Sequence, residues 1–275
     1  EGEGRERRGG RGKGARGGRE GKEREKGKGG GERRGERKGV GEKRERKEER
    51  KGEEGGEGGG KGNEGEGEGR EGKSGQEEAS LSFRGATGDL VAARIPGPYL
   101  VVDIGGGSSE FVRGTGQVEQ ARSVDVGCVR MTERHLLADP PTSSQITAAT
   151  RDIEAAIDQA AEVVDFQGIS TLVGLAGTVT TITAHALCLT SYDPEKIHLS
   201  QLPAAQILDA CTSLLSMTRA ERAALGFMHE GRVDVIGAGA LIWRTIVQRL
   251  QGEAGVTQVV TSEHDILDGI ALSIA

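Results

Sequence analysis

From Glu1 to Lys73 the chain holds no aromatic residue and no Leu, Ile, Met or Cys. Gly, Glu, Arg and Lys fill this stretch, interrupted only by Ala15, Val40 and Asn63. With almost nothing to bury, it cannot offset the entropy lost on ordering a backbone. A packed core is thereby excluded, and residues 1–73 are expected to form a disordered low-complexity segment. The high overall charge and glycine content (29% charged, 47 Gly) come largely from it and say little about the remainder. Arg7-Arg8-Gly9-Gly10-Arg11-Gly12 resembles the Arg-Gly segments that bind RNA. Glutamates are interleaved throughout, however, no aromatic is present for stacking, and the formal net charge is −6. Nucleic acid is therefore not an expected partner.

Other absences narrow the class further. No apolar run approaches a membrane span, and the N-terminus lacks the hydrophobic centre of a secretory signal, so no membrane partner is expected. Cysteine is scarce. Cys128, Cys188 and Cys211 are odd in number and widely spaced, without metal-type spacing. Reduced thiols in a cytoplasm fit that pattern.

From Ser74 to Ala275 the composition is that of an ordinary domain, long enough to bury a core. Ala79, Leu81 and Phe83 suggest a short helix or strand over 77–83, followed by a loop-rich connection from Gly85 to Gly97. Tyr99-Leu100-Val101-Val102 reads as a buried strand and Glu110-Phe111-Val112-Arg113 as a second. A third over 117–126 would complete an antiparallel meander. Asp139-Pro140-Pro141-Thr142-Ser143-Ser144 is a break followed by a helix N-cap, after which Ile146, Ile153, Ile157, Ala160 and Val164 fall on one helical face. A strand at 172–175, helices over 179–189, 207–217 and 233–250, a strand at 259–261 and a closing helix over 264–274 follow. The class is α/β.

Between the first two strands lies Asp103-Ile104-Gly105-Gly106-Gly107-Ser108-Ser109-Glu110. Three glycines allow close approach of a ligand to backbone N–H groups, which suits phosphate oxygens. Asp103 and Glu110 are hard oxygen donors suited to Mg²⁺ held jointly with a phosphate. An ordinary glycine-rich hairpin accounts for these residues equally well. Gly174-Leu175-Ala176-Gly177-Thr178-Val179-Thr180-Thr181 couples a strand end to a helix start, where free N–H groups favour an anion. Tight strand–helix packing would also require small residues there. Two such loops in one domain favour phosphate binding.

These two stretches, together with Ser74-Gly75-Gln76-Glu77-Glu78-Ala79, resemble the Ppx/GppA family of exopolyphosphatases and guanosine pentaphosphate phosphohydrolases. Supporting stretches are Asp125 to Arg130, Met228 to Ile236 and Ser262 to Gly269. The likeness runs from Ser74 to the C-terminus and is to the short, actinobacterial-type members, with no trailing HD-like domain. It implies one lobe of an actin-like (ribonuclease H-like) ATPase fold over 74–275. It also implies release of terminal phosphate from inorganic polyphosphate, or alternatively hydrolysis of pppGpp. Glu78 would be the catalytic glutamate that orients and deprotonates water. Asp103 would hold Mg²⁺, with Glu110 in the metal's outer shell. Gly105, Gly106, Gly107 and Ser108 would bind phosphate, and Gly177 and Thr178 would line the far side of the cleft. Cys128 is expected to be a small buried residue, His264 to cap the last helix, and His229 and Arg232 to pack or edge the cleft.

Members of that family begin with a further lobe bearing a facing phosphate loop, and nothing of that kind precedes Ser74. The expectation is impaired catalysis, or an inactive phosphate- or nucleotide-binding lobe, and exposed apolar surface that favours a homo-oligomer.

Overall fold

The computed structural model describes residues 83–264. The N-terminal segment, Glu78 and the expected closing helix lie outside the described residues.

The chain enters through a helix over residues 83–92, here α1. Phe83, Ala86 and Leu90 bury one face of it. The connection expected from Gly85 to Gly97 is therefore helical through its first half, and the apolar spacing overrides the two glycines within it. Three antiparallel strands follow: β1 (Tyr99–Ile104), β2 (Ser109–Gly114) and β3 (Val118–Val124). Next come α2 (Cys128–His135) and α3 (Ser143–Ala161), then β4 (Thr171–Leu175), which pairs in parallel with β1. A cap lies within the stretch expected to hold one: Thr142 caps α3 in a reciprocal capping box with Gln145.

After β4 the chain forms α4 (Ala176–Ala186), the short α5 (Pro194–Ile197), β5 (Gln201–Pro203) and α6 (Ala204–Ser216). It continues through α7 (Arg219–Ala223), a 3-10 turn (Glu230–Arg232), α8 (Ile236–Ala254) and β6 (Gln258–Thr261). Gly255, at φ 67°, ends α8 with the left-handed residue common at helix C-termini. The sheet order is β3-β2-β1-β4-β6-β5, with β1, β4 and β6 parallel.

Side chains alternate across this sheet with period two. Leu100, Val102, Ile104, Phe111, Leu172 and Val259 face the cluster built with α2, α3, α4, α6 and α8. Tyr99, Val101, Val112, Val173, Leu175 and Val260 face α1. Both faces are covered, which is why β1 and β4 read as continuous apolar runs rather than alternating ones. Among the described residues no helix is long and apolar enough to cross a membrane.

Candidate functional site

In open sheets with parallel strands, ligands gather at the carboxyl ends of those strands. Here β1 ends in Asp103-Ile104 and β4 in Leu175, and the register sets Asp103 beside Leu175. Across the antiparallel pair Asp103 stands directly opposite Glu110, so both carboxylates occupy one face of the hairpin mouth. That face is the one shared with Tyr99 and Val101, turned toward α1. Two like charges so placed repel, and a cation between them relieves that repulsion. Glu110 is held by two hydroxyls on one oxygen, Ser108 Oγ at 2.6 Å and Ser123 Oγ at 2.8 Å. Among the described residues its other oxygen has no hydrogen-bond or ion-pair partner, which suits it to a cation or its water.

The glycine loop is held from behind by α2, an element the sequence reading missed. Gly105 O accepts the N–H of Cys128 at 3.0 Å, and Gly106 O accepts those of Val129 and Arg130 at 2.9 and 3.1 Å. The N-terminus of α2 thus takes up the carbonyls of the loop. A side chain at Gly127 would meet Gly106 C and O at 2.4 Å, so only glycine lets the helix come this close. Ser109 Oγ donates to Val126 O at 2.6 Å and closes the same contact from the strand side. The Gly105 N–H is spent within the loop on Ser108 O at 3.0 Å, which among the described residues leaves the amides of Gly106, Gly107 and Ser108 for an anion. Cys128 is buried, as expected.

The opposite wall is the β4–α4 junction. The strand becomes helix within one residue, at Ala176, whose φ of 65° is left-handed. For a residue with a side chain this costs about 1–2 kcal/mol, the kind of local strain that gathers at ligand sites. Leu175, the N-cap residue, offers no side-chain cap, so the first N–H groups of α4 have no partner of that kind. The helix begins three residues before the expected start, which puts Gly177 and Thr178 in its first turn. Thr178 is buried, and a Cβ on Gly239 of α8 would stand 2.5 Å from its methyl carbon. The role open to Thr178 is therefore through its backbone N–H, whereas its side chain packs. Gly174 fits the packing account directly, since a Cβ there would meet Trp243 and Val179 at 2.7 Å.

Arg232 acquires a larger role than cleft-edge packing. A Cβ on Gly177 would stand 1.4 Å from Arg232 Nη2 and 1.8 Å from Cζ, so the guanidinium lies directly over Gly177. No carboxylate among the described residues pairs with it. A cation thus sits over an uncapped helix N-terminus, and both features attract the same oxyanion. Nothing in the local sequence ties Arg232 to Gly177, since a long separation is closed only by the fold. Arg232 also lines a cleft of about 400 Å³ with Thr181, Tyr192, Phe227, Met228 and His229. Tyr192 Oη lies 2.7 Å from Glu263 Oε1 and 2.8 Å from Thr180 Oγ1. Burial, together with the Glu263 contact, pushes this phenol up to about 12. His229 Nδ1 accepts the Gly231 N–H at 3.1 Å and shapes the turn that delivers Arg232.

A mixed sheet with glycine loops at both mouths, acidic groups between them and an arginine at one side defines one lobe of the actin-like class. Residues 74–274 match the Ppx/GppA phosphatase family, and the chain belongs to that family. It is 50% identical over 202 residues to "Exopolyphosphatase 2" of Mycobacterium tuberculosis, covering 74% of this chain and 63% of that protein. A "Bifunctional 3-dehydroquinate synthase/phosphatase" of Fusobacterium nucleatum is 31% identical over 201 residues, covering 72% of this chain and 29% of that one. The crystal structure of an exopolyphosphatase-like protein superposes with a TM-score of 0.70 at 43% identity, covering 73% of this chain and 66% of that one. The Aquifex aeolicus PPX-GPPA enzyme superposes with a TM-score of 0.63 at 26% identity, covering 72% and 63%. The chain thus spans just under two thirds of the Mycobacterium tuberculosis protein and of each of these two structures.

Proposed function

We propose that this chain serves a phosphoanhydride hydrolase that releases terminal phosphate from inorganic polyphosphate. The observation that carries this reading is the convergence on one strand mouth of opposed carboxylates, a loop whose Gly105 and Gly106 carbonyls are taken up by α2, and an uncapped helix under a guanidinium with no carboxylate partner among the described residues. Gly105, Gly106, Gly107 and Ser108 receive one phosphoryl group, and the first turn of α4 at Gly177 and Thr178, with Arg232, receives its neighbour. Asp103 and Glu110 are the residues that would hold Mg²⁺, which when bound neutralises charge developing on the transferred phosphoryl group. Glu78 is assigned as the base that takes a proton from the attacking water. The choice of polyphosphate over pppGpp rests on the 50% identity to a protein named an exopolyphosphatase.

The test is Mg²⁺-dependent phosphate release from short-chain polyphosphate and from pppGpp, beside Asp103→Asn and Glu78→Gln. Removing a carboxylate that anchors the metal should lower release by roughly a hundredfold or more. Release that survives Asp103→Asn unchanged overturns the site, and a preference for pppGpp overturns the substrate. Saturable binding of pyrophosphate without any release would make the chain a binding lobe.

A further inference from the structure

At the same edge of the sheet, two strands away from Asp103, a second group of ligand-type side chains converges without any part in the chemistry above. Asp89 comes from α1, His198 from the residue after α5, and His264 from three residues past β6. Their donor atoms all lie within 4.8 Å of one another. Asp89 Oδ2 is 2.6 Å from His264 Nδ1 and 3.4 Å from His198 Nε2, and the two rings are 4.4 Å apart between centroids. No local spacing in the sequence joins these residues, because only the fold closes the distance from 198 to 264.

We propose that Asp89, His198 and His264 form a binding site for a borderline divalent cation of the Zn²⁺ class. Two imidazoles and one carboxylate suit such an ion and do not suit Mg²⁺, which prefers oxygen alone. In a tetrahedral Zn²⁺ site, bond lengths of 2.0–2.2 Å set neighbouring ligand atoms about 3.3 Å apart. The present separations bracket that value, so small side-chain rotations complete the set and leave a fourth position for water. The side chains are 22% exposed at His198 and 43% exposed at Asp89 and His264, which gives the ion a path in.

The backbone presents both rings from fixed positions. Leu199 N donates to Thr261 O at 2.8 Å and Thr261 N to Ser200 O at 3.1 Å, joining the two histidine-bearing segments beside the sheet. Leu199, at φ 56°, turns the chain immediately after His198. His264 N and Ser262 Oγ are paired at 3.1 Å. Without metal, His198 Nδ1 accepts the Glu263 N–H at 3.3 Å, so its proton is on Nε2, facing Asp89. Coordination through Nε2 moves that proton to Nδ1 and breaks the Glu263 contact, the longest polar contact of this histidine after the one to Asp89. His264 moves its proton to Nε2 with no such loss. Binding therefore carries a local signature at the Glu263 amide, and it ties α1 to the end of β6.

The experiment is a titration of the full chain with Zn²⁺ against a chromophoric chelator, repeated with Co²⁺ by visible absorption. Variants are His198→Ala, His264→Gln and, as a control at another histidine, His135→Ala. Far-UV circular dichroism and thermal melts in EDTA establish that each variant folds. One equivalent should bind with four-coordinate Co²⁺ colour. Affinity should fall at least tenfold in His198→Ala and His264→Gln and hold in His135→Ala, and the Glu263 amide resonance should shift on Zn²⁺ addition. No saturable binding, or binding that survives both His198→Ala and His264→Gln, overturns the proposal. The readout is independent of phosphate release, so loss of one assignment leaves the other standing.

Discussion

Replacing Gly177 by Ala should separate phosphate binding from folding. The new methyl group would fall 1.4 Å from Arg232 Nη2, so the guanidinium must leave its place over the α4 N-terminus. It is the far end of a flexible side chain and can swing into the adjoining cleft, so folding loses little. Gly177 lies outside the left-handed region, and Ala is favoured over Gly in helices by up to about 1 kcal/mol. The melting temperature should therefore stay within about 3 °C of the parent. Affinity behaves differently. A charge-assisted hydrogen bond to phosphate contributes about 1.5–3 kcal/mol, so pyrophosphate binding should weaken roughly 10- to 100-fold. Calorimetric titration with pyrophosphate, with a thermal melt of the same samples, measures both quantities. Arg232→Ala should show the same loss, and the double substitution should add almost nothing further, because the two act on one contact. Unchanged affinity in Gly177→Ala, or additive losses in the pair, would refute the placement of Arg232 at the phosphate site.

Two further predictions concern stability. Arg222 is buried, and burial lowers its pKa while Asp139 opposes that shift. Asp139 accepts Arg222 Nη2 at 2.9 Å and also the Arg219 N–H, so Asp139→Ala should cost about 2 kcal/mol and lower the melting temperature by about 4–8 °C. His185, whose Nε2 lies 2.9 Å from Ser213 Oγ, has its pKa held below the ordinary 6.5 by burial. The unfolded chain then takes up a proton near pH 6.5 before the folded one does, so stability is full above that pH and declines below it. Urea midpoints on either side of pH 6.5 should show this decline, and His185→Gln should flatten it.

Strong periodicity and turn chemistry made much of the fold legible. The meander, the Thr142-capped α3, β4 and most of α8 follow from apolar spacing and caps alone. Helix α1 was hidden because Gly85 and Gly88 read as breaks, although Phe83, Ala86 and Leu90 carried its helical spacing. Helix α2 was hidden because Gly127 and Cys128 gave no cap signal, and its start is set by carbonyls of a loop some twenty residues earlier. At the candidate site, the glycines and Asp103 announce themselves through local composition. Arg232 and the Asp89–His198–His264 group do not, since each exists only through contacts between distant segments. Long-range convergence leaves no local period for a reader of sequence to find.

Trp243 is the only tryptophan of the chain, fully buried, with its ring against Gly174 and its indole N–H without a hydrogen-bond partner among the described residues. Its emission consequently comes from one buried environment, where α8 packs against the strand that leads directly into Ala176 and Gly177. An intrinsic optical probe is thus already installed one residue pair from the start of α4. Any ligand that reseats the start of α4 reports itself in the colour of a single fluorophore, with no label added.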